Sequence, residues 1–117
     1  MTDKVIKVPN GQRYERNGWI RMKIWGGPRE RGKAYGRLIK AEMDRILEMQ
    51  SFVMETDYGY PKDVVAEVLY GLYMPVIRDK YSELADEMEG IVEGLRSAGS
   101  KATIQDVLLW NLHYTLD

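Results

Sequence analysis

The sequence predicts an α+β fold in which short N-terminal β-hairpin strands are followed by about four helices. Three observations point there. Positions 19–25 alternate apolar and polar residues with the two-residue period of a strand. After Pro28 the apolar residues recur at three- and four-residue steps, the period of an amphipathic helix. Glycine, proline and asparagine fall where the period changes. With 117 residues the chain fits one unit, strands and turns over 1–26 and helices over 28–117.

Val5, Ile6 and Val8 form a short apolar run that Pro9-Asn10-Gly11 turns. Asn17-Gly18 suits a type I′ hairpin, because both residues tolerate positive φ. In the strand that follows, Ile20, Met22 and Ile24 face one side, and Trp19, Arg21, Lys23 and Trp25 the other. The first set is expected to point into an apolar layer under the helices, and the strand to pair with strands from outside these residues. Tyr35, Leu38, Ile39, Glu42, Ile46, Met49 and Val53 mark one helix over about 30–54, ended by Gly59-Tyr60-Pro61. The second helix starts at Pro61, carries Val64, Val65, Val68, Leu69, Leu72 and Val76, and should kink or break at Pro75. Ser82 is the expected N-cap of a third, with Tyr81, Leu84, Ala85, Met88, Val92 and Leu95 inward. Thr103 and Asp106 read as a capping box opening a fourth, with Ile104, Val107, Leu108, Leu112 and Leu116 on its apolar face.

Composition removes whole classes of chemistry. No cysteine is present, so these residues hold no disulfide, thiolate metal site or cysteine nucleophile, and one histidine excludes multi-histidine schemes. No signal peptide and no apolar run of about 18 residues occurs, which suggests a cytoplasmic protein with no transmembrane segment. The net charge of -1 argues against nucleic acid as a partner of the whole chain. That charge is unevenly spread: residues 1–45 carry +7 and residues 46–117 carry -8. Because the basic residues are interleaved with strand-period apolar ones, the simplest reading is two faces of opposite sign, one docked on the other. Glu83, Glu87, Glu89 and Glu93 read as a solvated acidic face.

Gly27 to Ala34 comes close to the phosphate-loop pattern G-x-x-x-x-G-K-[ST]. Ala34 lacks the hydroxyl that would reach Mg²⁺, and no later strand offers a second metal-side aspartate. The same glycines have a packing explanation. Gly32 and Gly36 lie on one helical face and admit a neighbouring backbone or sheet, with Glu30 and Arg31 placed to pair across it.

Read with the strand from Gly18 to Ile24, the segment Gly27-Pro28-Arg29-Glu30-Arg31-Gly32 with Gly36-Arg37-Leu38 resembles a known opening. It is similar to that of the N-terminal-nucleophile hydrolases related to isopenicillin-N acyltransferase, acid ceramidase and the phospholipase B-like proteins. Tyr81-Ser82-Glu83-Leu84 with Glu89-Gly90-Ile91-Val92-Glu93-Gly94 resembles their second helix motif, and Thr103-Ile104-Gln105-Asp106-Val107-Leu108-Leu109-Trp110-Asn111 their third. The order matches, over most of residues 18–114. The resemblance implies part of an αββα sandwich completed by a second chain. The precursor would cut itself before a cysteine, which becomes the first residue of a larger β chain. These residues would be the smaller α chain of an enzyme cleaving linear amide or acyl ester bonds. It implies no cofactor, no metal and no catalytic residue within 1–117, and leaves room for a higher oligomer of the αβ unit.

Met43, Met49, Phe52, Met54, Tyr58, Tyr60, Tyr70, Tyr73 and Met74 supply adaptable apolar surface, most of it for the core. Tyr58, Tyr60 and Tyr73 are the candidates for a lip over the acyl pocket. Asn111 and Tyr114 are the candidates nearest the cut. His113 has no carboxylate or nucleophile beside it at helical spacing and is not assigned a role. The competing reading is a non-enzymatic helical module that docks an acidic partner or nucleic acid through its basic N-terminal half.

Overall fold

The computed structural model describes residues 3–53, 56, 59 and 61–112. It contains β1 (Lys4–Val8), β2 (Gly11–Arg16), β3 (Trp19–Ile24), α1 (Pro28–Leu38), α2 (Lys40–Val53), α3 (Lys62–Lys80), α4 (Ser82–Ser97) and α5 (Ile104–Leu112). The architecture is α+β. The strands form one antiparallel sheet in the order β1-β2-β3, with Ile6 opposite Arg13 and Arg13 opposite Met22. Asn17 and Gly18 both take positive φ, as the hairpin between β2 and β3 requires. Strand β3 pairs with β2 alone, and among the described residues no strand lies on its other edge.

One face of the sheet meets α1. The contact is made where Gly11 of β2 lies against Ala34: a Cβ at Gly11 would come within 2.8 Å of the Ala34 Cβ. Met22 and Ile24 are half-buried on this side. Ile20 is not, at 48% exposed, because β3 runs out past the end of the helical cover at Ile20. The main core lies among the helices instead: Ile39, Met43, Met74, Ala85, Met88, Leu95, Ala102, Val107 and Leu108, with Met22 packed against it from the sheet.

The long helix expected over 30–54 is two helices that break at Ile39. The cause is Arg13, whose Nη1 donates to the carbonyl of Leu38 at 2.8 Å. A continuous helix would use that carbonyl for the amide of Glu42. There are accordingly five helices. Pro75 does not break α3, which continues to Lys80. Ser82 does not cap α4 with its side chain. Tyr81 occupies the N-cap position, and Tyr81 and Leu84 are exposed. The α5 capping box forms as expected: the Thr103 amide donates to Asp106 at 3.0 Å and the Asp106 amide to the Thr103 hydroxyl at 3.2 Å.

Candidate functional site

Helices α1 and α4 approach each other closely, through glycine. Gly32 and Gly36 of α1 face α4, and Gly90 and Gly94 of α4 face α1. A Cβ at Gly36 would fall 2.7 Å from the Leu95 amide nitrogen and against the Ile91 carbonyl; one at Gly94 would strike the Lys33 carbonyl. The neighbour that Gly32 and Gly36 admit is thus a helix backbone, and the sheet is approached through Gly11.

The charge imbalance of the chain is partly cancelled along the same seam. Arg29 pairs with Glu89 at 2.8 Å, with Asp86 at 3.7 Å and with Glu93; Arg31 pairs with Glu87 at 3.0 Å and Lys33 with Glu93 at 3.6 Å. Arg78 reaches Glu89 from α3 at 3.4 Å. Glu87, Glu89 and Glu93 are therefore paired rather than simply solvated. The Lys33 ammonium, which a phosphate loop would turn toward its nucleotide, is turned to Glu93.

A second polar cluster joins the sheet to the α1–α2 break. Arg13 is only 4% exposed. It makes a bidentate pair with Glu42, at 2.7 and 2.9 Å, and a further bond to Glu15 at 3.0 Å. The hydrogen bond from Arg13 holds the Glu42 carboxyl below its usual range, and Glu42 in turn raises Arg13. A signal for this cluster was present in the sequence: Glu42 stands in the apolar stripe, where a carboxylate requires a buried cation.

Beside α2 lies a cleft of about 550 Å³ lined by Asp44, Glu48, Ser51, Ser100, Lys101 and Asp106 among others. The Ser100 hydroxyl donates to Asp44 at 2.7 Å and accepts from the Ala102 amide at 3.1 Å. The pair fastens the α4–α5 turn to α2. The Asp44 carboxyl is held low by Lys40 first and Ser100 second. No cluster of three metal-ligating side chains occurs among the described residues.

Helix α3 carries an exposed apolar stripe. Val64, Val68, Leu72 and Val76 run along the outer side of α3, all about half exposed or more, with Leu72 at 64%. The inner side of the same helix buries Ala66, Leu69 and Met74. Of the residues expected at an acyl pocket, Tyr73 lies on α3 and is 38% exposed, while Tyr58 and Tyr60 lie outside the described residues. Asn111 falls in the last turn of α5; Tyr114 and His113 lie outside the described residues. Sequence periodicity missed the Arg13 cluster and the pairing of Gly90 and Gly94 with α1. No described helix is long and apolar enough to cross a membrane.

No family model matches the chain, and no solved structure matches it. It is 35% identical over 103 residues to a protein of Archaeoglobus fulgidus described as uncharacterized. The match takes in 84% of this chain and 17% of that protein, so the chain spans about a sixth of its relative's length.

Proposed function

We propose that these residues are the smaller, N-terminal chain of an autoprocessed cysteine N-terminal-nucleophile hydrolase or acyltransferase. It would act on linear amide or acyl ester bonds together with a β chain that supplies the cysteine. The observation that supports this best is the α1–α4 seam. Two of the segments that carry the family resemblance stand far apart in sequence, with Arg29 and Glu89 separated by 60 positions. They fold against each other glycine to glycine. The third segment, α5, buries Val107 and Leu108 in the same core. The three form one packed unit.

The uncovered stripe on α3 also supports a chain that completes its core against a companion. Strand β3 leaves its outer edge without a strand among the described residues, the edge at which a strand of the companion chain would pair.

In the proposed chemistry the free N-terminal amine of the β chain accepts the cysteine proton. The thiolate then adds to the substrate carbonyl, the tetrahedral oxyanion collapses with loss of the protonated amine, and water or an acceptor amine releases the acyl group. The chain described here would position that site and line it with residues such as Tyr73. The test is to express the gene with the codons that follow Asp117. Two chains, the second beginning with cysteine, and an uncut precursor when that cysteine becomes alanine, are the expected results. A stop codon directly after Asp117, or an uncut wild-type product, would overturn the proposal.

A further inference from the structure

Two groups of basic residues in the N-terminal half differ in how they are paired. Those of α1 are paired with α4 or, at Arg37, bonded to Ser97. Those on the helix-free face of the sheet are largely not. Among the described residues, Lys7, Arg21 and Lys23 have no carboxylate partner, and Arg16 has only Asp3, at 3.6 Å. The strand register sets these cations around two aromatic rings. Tyr14 lies opposite Arg21 and Arg16 opposite Trp19. Residues opposite each other, and residues two apart on a strand, share a face. The result is a two-by-two checkerboard, aromatic beside cation along and across the strands, extended by the row Lys7, Gln12, Lys23.

Trp19 is 80% exposed, and Tyr14 is held in place by a 2.8 Å bond from its hydroxyl to Asp3. Tyr14 is half-buried, so Trp19 is the more accessible of the two rings. Gln12, Tyr14, Arg16, Trp19 and Arg21 line a shallow concavity of about 600 Å³.

We infer that this face of the sheet binds single-stranded nucleic acid, bases stacking on Trp19 and Tyr14 and phosphates meeting Arg16, Arg21, Lys7 and Lys23. An exposed ring stacks any base and a fixed cation beside it meets the phosphate, whereas a duplex hides its bases from such rings. The chain's overall charge of -1 conceals this face, because the compensating acids lie on α4 and elsewhere. The inference stands apart from the proposed hydrolase activity and does not need it.

The test is fluorescence anisotropy of a labelled 12-nucleotide uridine strand with the 117-residue chain at about 0.1 M salt, as ionic strength governs such contacts. If the wild type self-associates, the background is Val68→Lys with Leu72→Lys, both on α3. Saturable binding in the micromolar range is expected, tighter than for a 12-base-pair duplex. Trp19→Ala should weaken it about tenfold, the size of a lost stacking contact. Arg21→Ala should lower the salt slope by about 0.7, one phosphate contact on a single strand. Circular dichroism checks that both variants keep the helical fold. No saturable binding, equal binding of duplex, or full affinity in Trp19→Ala would overturn the inference, the last two showing a merely cationic surface.

Discussion

Helices α1 and α4 meet backbone to backbone, glycine against carbonyl, whereas α3 turns Val64, Val68, Leu72 and Val76 to solvent. At the seam the side chains have been removed where the backbones touch, and charges line its rim. On α3 the side chains are the ones that close packing elsewhere uses, with nothing described to pack against. Contact depends less on how apolar a helix is than on whether its surface has the shape of its neighbour. The glycines have a neighbour of matching shape; the valines of the outer α3 face do not.

The sharpest way to break the comparison is to restore side chains at the seam. Gly36→Val should cost about 3 kcal/mol in denaturant unfolding, because the obstructing atoms are backbone and cannot swing aside. Gly94→Val should behave alike. Near-wild-type stability in both would mean that the helices can part without loss, and the seam would not define the fold.

Arg13→Ala comes next. It strands the Glu42 carboxylate and the Leu38 carbonyl at the α1–α2 break, with an expected loss of about 2 kcal/mol once partial exposure of Glu42 is allowed for. Because the folded-state pKa of Glu42 is depressed, its contribution is present above the unfolded value, about 4.3, and disappears as pH falls through the lowered folded one. Stability should therefore fall from about pH 5 downward, and the fall should shrink in Glu42→Gln. An unchanged acid limb in that variant would locate the acid sensitivity at other carboxylates.

The α3 stripe should answer in the opposite manner. Val68→Lys with Leu72→Lys should shift unfolding by less than about 0.5 kcal/mol per site, as substitutions of exposed residues do. Association of the chain at high concentration should diminish, read by sedimentation velocity. A large loss of stability would show that the stripe already packs within the chain. Lys33→Ala should have the smallest effect of all, under about 0.5 kcal/mol, since its pair with Glu93 is exposed. It should also leave any nucleotide titration flat; saturable ATP or GTP binding lost in this variant would revive the phosphate loop.

Much of the local structure was legible in advance. The hairpin at Asn17-Gly18, the alternation of β3 and the Thr103–Asp106 box are decided by residues within a few positions of one another, through φ preference, period and side-chain capping. The packing role of Gly32 and Gly36 was legible too, but not its partner. Residue type alone singles out Tyr73 for a pocket lip, and its place on α3 at 38% exposure comes from the packing of that helix; the role of Asn111 depends on neighbours that helical spacing does not specify.

By itself the sequence determined that the chain is α+β, strands first, with glycines reserved for a close approach and charge divided between its halves. Tertiary structure decided which apolar residues are inside, because α3 is apolar on two sides and only the positions of α4 and α5 choose between them. It also decided where a helix stops, since Arg13 acts on Leu38 across 25 positions of sequence. And it decided which cations are spent on the fold: α1 lies on the acidic helix, while the outer sheet face lies on nothing described. Charge and hydrophobicity are properties of residues, but their neutralisation and burial belong to pairs of surfaces brought together by the fold.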